Sequence, residues 1–219
     1  GSRGAGRPPP PPPPARQRAS DVSDWLAAWR AWLKGAAYSG FRRDRWQRPD
    51  DVIAALQIRR GARIAEIGSG GGYFTFRLAD AAGPQGKVYA VDVDRDLVDA
   101  VAACASRRGA HNIETVLARG ADPQLPAGAI DLVFTSNVYH HLSEPSDYFR
   151  RLRRCLAPGG RVAIIDSNGD GWFRKLFGHW TSGDVIESEM RAAGYRLEQV
   201  CSIVPEQHFL IFAAEACGR

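Results

Sequence analysis

Ile64-Ala65-Glu66-Ile67-Gly68-Ser69-Gly70-Gly71-Gly72-Tyr73-Phe74 joins an apolar run to a glycine cluster. Residues 63–67 have the length and apolarity of a buried strand. Residues 73–82 have helical periodicity. Glycines between a strand and a helix let the backbone turn sharply and let a ligand approach the amides. The spacing also discriminates between ligands. A dinucleotide loop has the form G-x-G-x-x-G, its third glycine packing helix on strand. Here Gly68, Gly70 and Gly72 form G-x-G-x-G, and Tyr73 stands at the third-glycine position.

Outward from the loop, apolar strands alternate with helical segments. Strands are expected at 87–91, 113–117, 130–135, 161–165, 196–204 and 208–214. Helices are expected at 50–56, 94–107, 145–156 and 182–193. This order predicts an α/β, doubly wound, seven-stranded, mostly parallel sheet with helices on both faces. No helix separates the last two strands, which predicts an antiparallel hairpin at the sheet edge.

Further signals follow in register. Val88-Tyr89-Ala90-Val91-Asp92 puts an acid at a strand tip, 20 residues after Gly72. A carboxylate there accepts hydrogen bonds from ribose hydroxyls, and the alternative is a helix cap, a role also open to Asp94. Gly120-Ala121-Asp122 precedes the 130–135 strand, and Ser136-Asn137-Val138-Tyr139-His140-His141-Leu142 follows it. Leu156-Ala157-Pro158-Gly159-Gly160 forms a turn before the next strand.

Together these motifs, over residues 45–215, resemble the class I S-adenosylmethionine-dependent methyltransferases. The resemblance implies a loop that curls around the aminoacyl end of S-adenosylmethionine. It implies cofactor contacts from Glu66, Gly68, Ser69, Gly70, Gly72, Asp92, Val93, Asp122 and Asn137. Asp122 would face the adenine amino group, although Ala121 separates it from the glycine that it directly follows in many relatives. Methyl transfer from a sulfonium needs an acceptor held in line, and a base only where the acceptor must lose a proton. His140, His141 and Tyr139, after a strand at the ligand edge, are the candidates for that role. Asp166 and the His179-Trp180 pair are expected to border the acceptor pocket, or to serve as a strand-end cap and rim packing. Ser182 reads as a helix N-cap. Asn137 is not followed by the Pro-Pro-Tyr of enzymes that methylate amide or nucleobase nitrogens. No acidic cluster suggests a metal.

The chain divides into three parts. Residues 1–20 hold an unbroken run from Pro8 to Pro14 flanked by arginines, a disordered or linker-like arm. Residues 21–48 place Trp25, Trp29 and Trp32 on one helical face, a helical extension expected to cap the domain or form a lid. Residues 49–219 form the domain. Residues 1–48 hold ten Arg and Lys against three Asp, and the rest of the chain carries the remaining balance of a +5 total, a net charge of −2. The basic arm suits an acidic or SH3-type partner or acts as a spacer. The near-neutral body suits a small-molecule acceptor. Cys104, Cys155, Cys201 and Cys217 lack a C-x-x-C pair and read as free thiols. No apolar run is long enough to span a bilayer, and a cytoplasmic setting is expected. The alternative function is a non-catalytic S-adenosylmethionine-binding or scaffold protein.

Overall fold

A computed structural model of the chain describes residues 43–120, 122–169 and 180–215. The proline arm, the Trp25–Trp32 face, His179 and Cys217 lie outside the described residues. The elements in chain order are α1 (Arg43–Gln47), α2 (Pro49–Leu56), β1 (Arg63–Ile67), α3 (Thr75–Ala82), β2 (Lys87–Asp92), α4 (Arg95–Arg108), β3 (Ile113–Leu117), β4 (Ile130–Ser136), α5 (Pro145–Leu152), β5 (Leu156–Ser167), α6 (Gly183–Ala192), β6 (Tyr195–Val200) and β7 (Gln207–Ala214).

Local chemistry sets these ends. Pro49 opens α2 at a position where its missing amide hydrogen costs nothing, and Asp50 and Asp51 complement the helix dipole. Asp94 caps α4 by accepting from the Asp96 amide, and Gly109 ends it in the left-handed region. Ser182 caps α6 through the Val185 amide, as expected.

The seven strands run in the order β3-β2-β1-β4-β5-β7-β6. The first five are parallel; β7 is antiparallel to both β5 and β6. The expected hairpin therefore forms, with β7 inserted inside the sheet and β6 left as its edge. β1, β2 and β4 are buried along nearly their whole length, as strands covered on both faces must be. One face packs Val52 and Leu56 of α2 and Leu78 and Ala79 of α3 over Ile64, Phe134 and Ile165. The other packs Phe149 and Leu152 of α5 and Ile186 and Met190 of α6 over Val133, Ile164 and Phe212. Buried Cys104, Cys155 and Cys201 are free thiols. Among the described residues no helix is long and apolar enough to cross a membrane.

Several boundaries differ from expectation. The helix expected over 73–82 starts at Thr75, because the glycine turn continues through Phe74. The helix expected over 145–156 stops at Leu152 and passes through a single 3-10 turn, Arg153–Cys155. β5 begins at Leu156, where Leu156 pairs with Ile130 before a register shift. Gly159 (φ +76°) and Gly160 make that irregularity possible: a Cβ on Gly160 would sit 2.8 Å from the Ile130 carbonyl oxygen. β6 ends at Val200, four residues early, because Pro205 lies in the turn into β7.

Candidate cofactor and acceptor site

β1 and β4 are neighbours whose onward connections leave toward opposite faces of the sheet. The crevice between their carboxyl ends is where such sheets bind ligands. The glycine loop folds back over it. Gly68 and Ser69 amides both donate to the Val91 carbonyl, at 2.8 and 3.0 Å. Gly68 has φ +73°, and a Cβ there would overlap Val138 Cγ2, so the loop lies directly on the turn after β4. Gly70 (φ +52°) has open space where a side chain would be.

Asp92 is 9% exposed. Its Oδ2 accepts from the Gly70 amide at 2.8 Å and its Oδ1 from the Asp94 amide at 3.0 Å. Asp94, not Asp92, caps the helix, which leaves Asp92 to hold the loop. Val93 beside it is 73% exposed, an apolar platform at the crevice. Ser69 Oγ is buried with no hydrogen-bond partner among the described residues.

Glu66 points from inside β1 toward the start of α3, where the Thr75 hydroxyl donates to it. Burial raises its pKa to about 8; the Thr75 bond and the Arg43 charge pull the other way, and Asp92 adds to the rise. Arg43 of α1 lies 3.9 Å over the Tyr73 ring and donates to Gln47 Oε1 at 3.1 Å. Asp44 accepts from the Tyr73 hydroxyl at 2.5 Å and pairs with Arg77 at 3.3 Å, fastening α1 to the loop.

After β4, Asn137 adopts φ +58°, a conformation Asn tolerates better than most residues. Its Oδ1 accepts from Gln207 Nε2 at 2.6 Å. Tyr139 turns into the core: it is 1% exposed, stacks on Phe149, and donates its hydroxyl to Glu189 Oε2 at 2.6 Å. Its phenol therefore faces α6, and the structure gives it a packing role where the sequence offered it as a base. His140 sits differently. Its backbone amide donates to Asp166 Oδ2 at 3.0 Å, and its Nδ1 lies 2.7 Å from Asp166 Oδ1. Asp166 is fully buried at the end of β5, and the Ser167 amide also donates to it. A carboxylate at Nδ1 fixes the tautomer with its proton there, leaving Nε2 as an acceptor. The His141 ring, on the exposed side, lies 4.0 Å from that of His140.

Asp122 stands apart on the loop after β3. It accepts from the Gln124 amide at 2.9 Å and pairs with Arg154 at 3.1 Å, contacts that lower its pKa. Trp180 lies against Gly169, where its indole leaves no room for a Cβ. The structure thus gathers Ser69, Gly70, Asp92, Asn137 and His140 around one sheet end and joins Asp166 to His140. Arg43, Gln47, Thr75 and Gln207 were not expected there. They come from three elements, α1, α3 and β7, and no local spacing announces them.

Residues 65–164 match the family model described as a methyltransferase domain. A solved S-adenosylmethionine-dependent methyltransferase from Aquifex aeolicus superposes with a TM-score of 0.68 at 25% identity, over 75% of this chain and 88% of that one. Residues 65–164 are thus a methyltransferase domain, on the fold of a solved S-adenosylmethionine-dependent methyltransferase. This methyltransferase domain is 34% identical over 113 residues to nocamycin O-methyltransferase of Saccharothrix syringae, covering 52% of the chain and 40% of that protein. It is 31% identical over 104 residues to aklanonic acid methyltransferase of a Streptomyces species, covering 48% of the chain and 47% of that protein. The chain spans less than half the length of these two relatives. The family's cofactor is S-adenosylmethionine, and the domain fits it: an open glycine turn at Gly70, the Asp92 carboxylate, the exposed Val93 and the buried, unsatisfied Ser69 hydroxyl all meet at the crevice.

Proposed function

We propose that the protein transfers a methyl group from S-adenosylmethionine to an oxygen acceptor on a small molecule, with His140 as general base. The observation that carries this is the His140–Asp166 pair at the same sheet end as the glycine loop. When bound, S-adenosylmethionine supplies a methyl group activated by its sulfonium and departs as a neutral thioether. His140 Nε2 would take the proton that the acceptor hydroxyl gives up on methylation. The buried Asp166 carboxylate holds the imidazole in place and stabilises the imidazolium that forms. Asp92 would hold the ribose hydroxyls, Val93 would pack against adenine, and Ser69 and the loop amides would hold the aminoacyl end. Asp122, now paired with Arg154, would be the residue to hold the adenine amino group.

Two observations support a small acceptor. The body beyond residue 48 is near neutral, which does not suit a polyanion. Two relatives carry the names of small-molecule methyltransferases. A cytoplasmic setting accords with where S-adenosylmethionine is made.

The test has two stages. Calorimetric titration with S-adenosylmethionine should show one site, lost in Asp92→Ala. S-adenosylhomocysteine release is then followed with a panel of phenols and alcohols. Turnover of a hydroxyl acceptor that collapses in His140→Ala, with cofactor affinity unchanged, supports the assignment. Equal turnover by His140→Ala would remove His140 from the mechanism.

A further inference from the structure

A chain of amide hydrogen bonds runs from α1 to the turn after β4, and neither the loop contacts nor the His140–Asp166 pair involves it. Arg43 Nε donates to Gln47 Oε1 at 3.1 Å. Gln47 Nε2 donates to Gln207 Oε1 at 2.8 Å. Gln207 Nε2 donates to Asn137 Oδ1 at 2.6 Å. Gln47 is fully buried and Gln207 is 9% exposed.

The direction of this chain is forced. A guanidinium has only donors, so Gln47 must turn its oxygen toward Arg43. Its amino group is then left for Gln207, which must present oxygen and so turns its own amino group to Asn137. Reversing any one amide would set oxygen against oxygen or N–H against N–H in a desolvated place, a costly arrangement. The polarity set by Arg43 is thereby passed on to Asn137, whose oxygen is engaged and whose Nδ2 is the end that remains. Among the described residues that nitrogen makes only a long 3.4 Å contact, with Ser136 Oγ.

The location is also defined. Asn137 follows β4 at the switch point, and the next residue, Val138, touches Gly68 at the start of the glycine loop. Resting on the assignment of S-adenosylmethionine to this crevice, we infer that the relay makes Asn137 an N–H donor for the carboxylate of the cofactor's aminoacyl chain. Gln207 and Gln47 are positioning residues: they touch no ligand and act by fixing which end of the Asn137 amide faces the crevice. The electrostatics agree. Arg43 brings positive charge to this corner, and Glu66, neutral at pH 7 with its raised pKa, puts no anion opposite an incoming carboxylate.

Gln207→Glu tests this by reversing the relay. A carboxylate at 207 still accepts from Gln47 but can only accept from Asn137, so the Asn137 amide must flip and turn its oxygen to the crevice. Three probes are titrated into the full chain by calorimetry: S-adenosylmethionine, its decarboxylated form, and 5′-methylthioadenosine, which lacks the aminoacyl chain. The wild type should prefer the carboxylated cofactor over the decarboxylated one by roughly tenfold or more, the effect of a hydrogen bond to a charged group. Gln207→Glu should bring that ratio close to one, with 5′-methylthioadenosine affinity unchanged. Should Gln207→Glu not fold, Asn137→Asp keeps the bond from Gln207, puts an acceptor on the crevice side, and should show the same loss of preference. A preserved ratio in the folded variant, or equal loss for all three probes, overturns the relay. A wild-type chain that binds none of the three overturns the cofactor assignment itself, and the relay with it.

Discussion

Replacing Glu66 with Gln should make the protein more stable, by an amount that depends on pH. Glu66 is buried inside β1, and its pKa is raised from 4.5 to about 8, first by burial. Below pH 4.5 the group is neutral in both the folded and unfolded chain. Between 4.5 and about 8 the unfolded chain ionises it and the folded chain does not, so the folded state holds the extra proton. Stability then falls as pH rises, by about 1.4 kcal/mol per pH unit. Over the whole window this comes to roughly 5 kcal/mol, an upper bound because water entering around the ionised carboxylate relaxes it. The amide in Glu66→Gln would retain an oxygen for the Thr75 hydroxyl and cannot ionise. Urea denaturation of the wild type and Glu66→Gln at about pH 5 and about pH 8.5, either end of the window, measures the difference. The stability gap should be several kcal/mol wider at the higher pH. A gap of equal size at both pH values would mean that Glu66 is already ionised in the fold at the lower one, and the account of its environment would be wrong.

Asp166→Asn should slow turnover by roughly 10²- to 10⁴-fold with S-adenosylmethionine affinity unchanged, since it removes the charge that stabilises imidazolium at His140; a comparison of kcat with a cofactor titration checks this. Gly68→Ala meets both a left-handed φ of +73° and an overlap with Val138 Cγ2, and should cost about 2–4 kcal/mol. Part of that loss should return in Gly68→Ala/Val138→Ala, measured as a double-mutant cycle by denaturation. Tyr139→Phe should lose about 1 kcal/mol with its Glu189 hydrogen bond, while kcat stays within about twofold. A large fall in kcat there would return the phenol to the chemistry.

The parallel core was legible because its strands declare themselves locally as apolar runs bounded by turns, and a helical period follows β1, β2 and β4. The glycine loop and Asp92 were legible for the same reason, since both belong to one strand–turn–helix–strand unit. What failed locally was the start of β5, because Pro158-Gly159-Gly160 reads as a turn while the sheet uses it as an irregular strand. The insertion of β7 between β5 and β6 was not legible, since a hairpin in sequence does not say which of its strands meets the older sheet. Asp166 and His140 were each visible as strand-end residues. Their pairing across 26 positions follows only from β4 and β5 lying side by side. Gln47 and Gln207 are 160 positions apart and carry no periodic signature, so only the folded chain shows that they touch.

The inserted position of β7 has a consequence for how the protein is made. β7 is the last strand of the sheet to leave the ribosome, yet it lies between two strands synthesised earlier. Until it emerges, β5 presents an open edge of unpaired amides and carbonyls, and β6 has nothing to pair with. The nascent chain can assemble the glycine loop and the first five strands while still tethered. It cannot seat Gln207 or cover the β5 segment that carries Asp166 until residues 207–214 are free. The crevice would thus be completed in two stages of synthesis, and a chain stalled before β7 would expose a sticky β5 edge to its neighbours on the polysome.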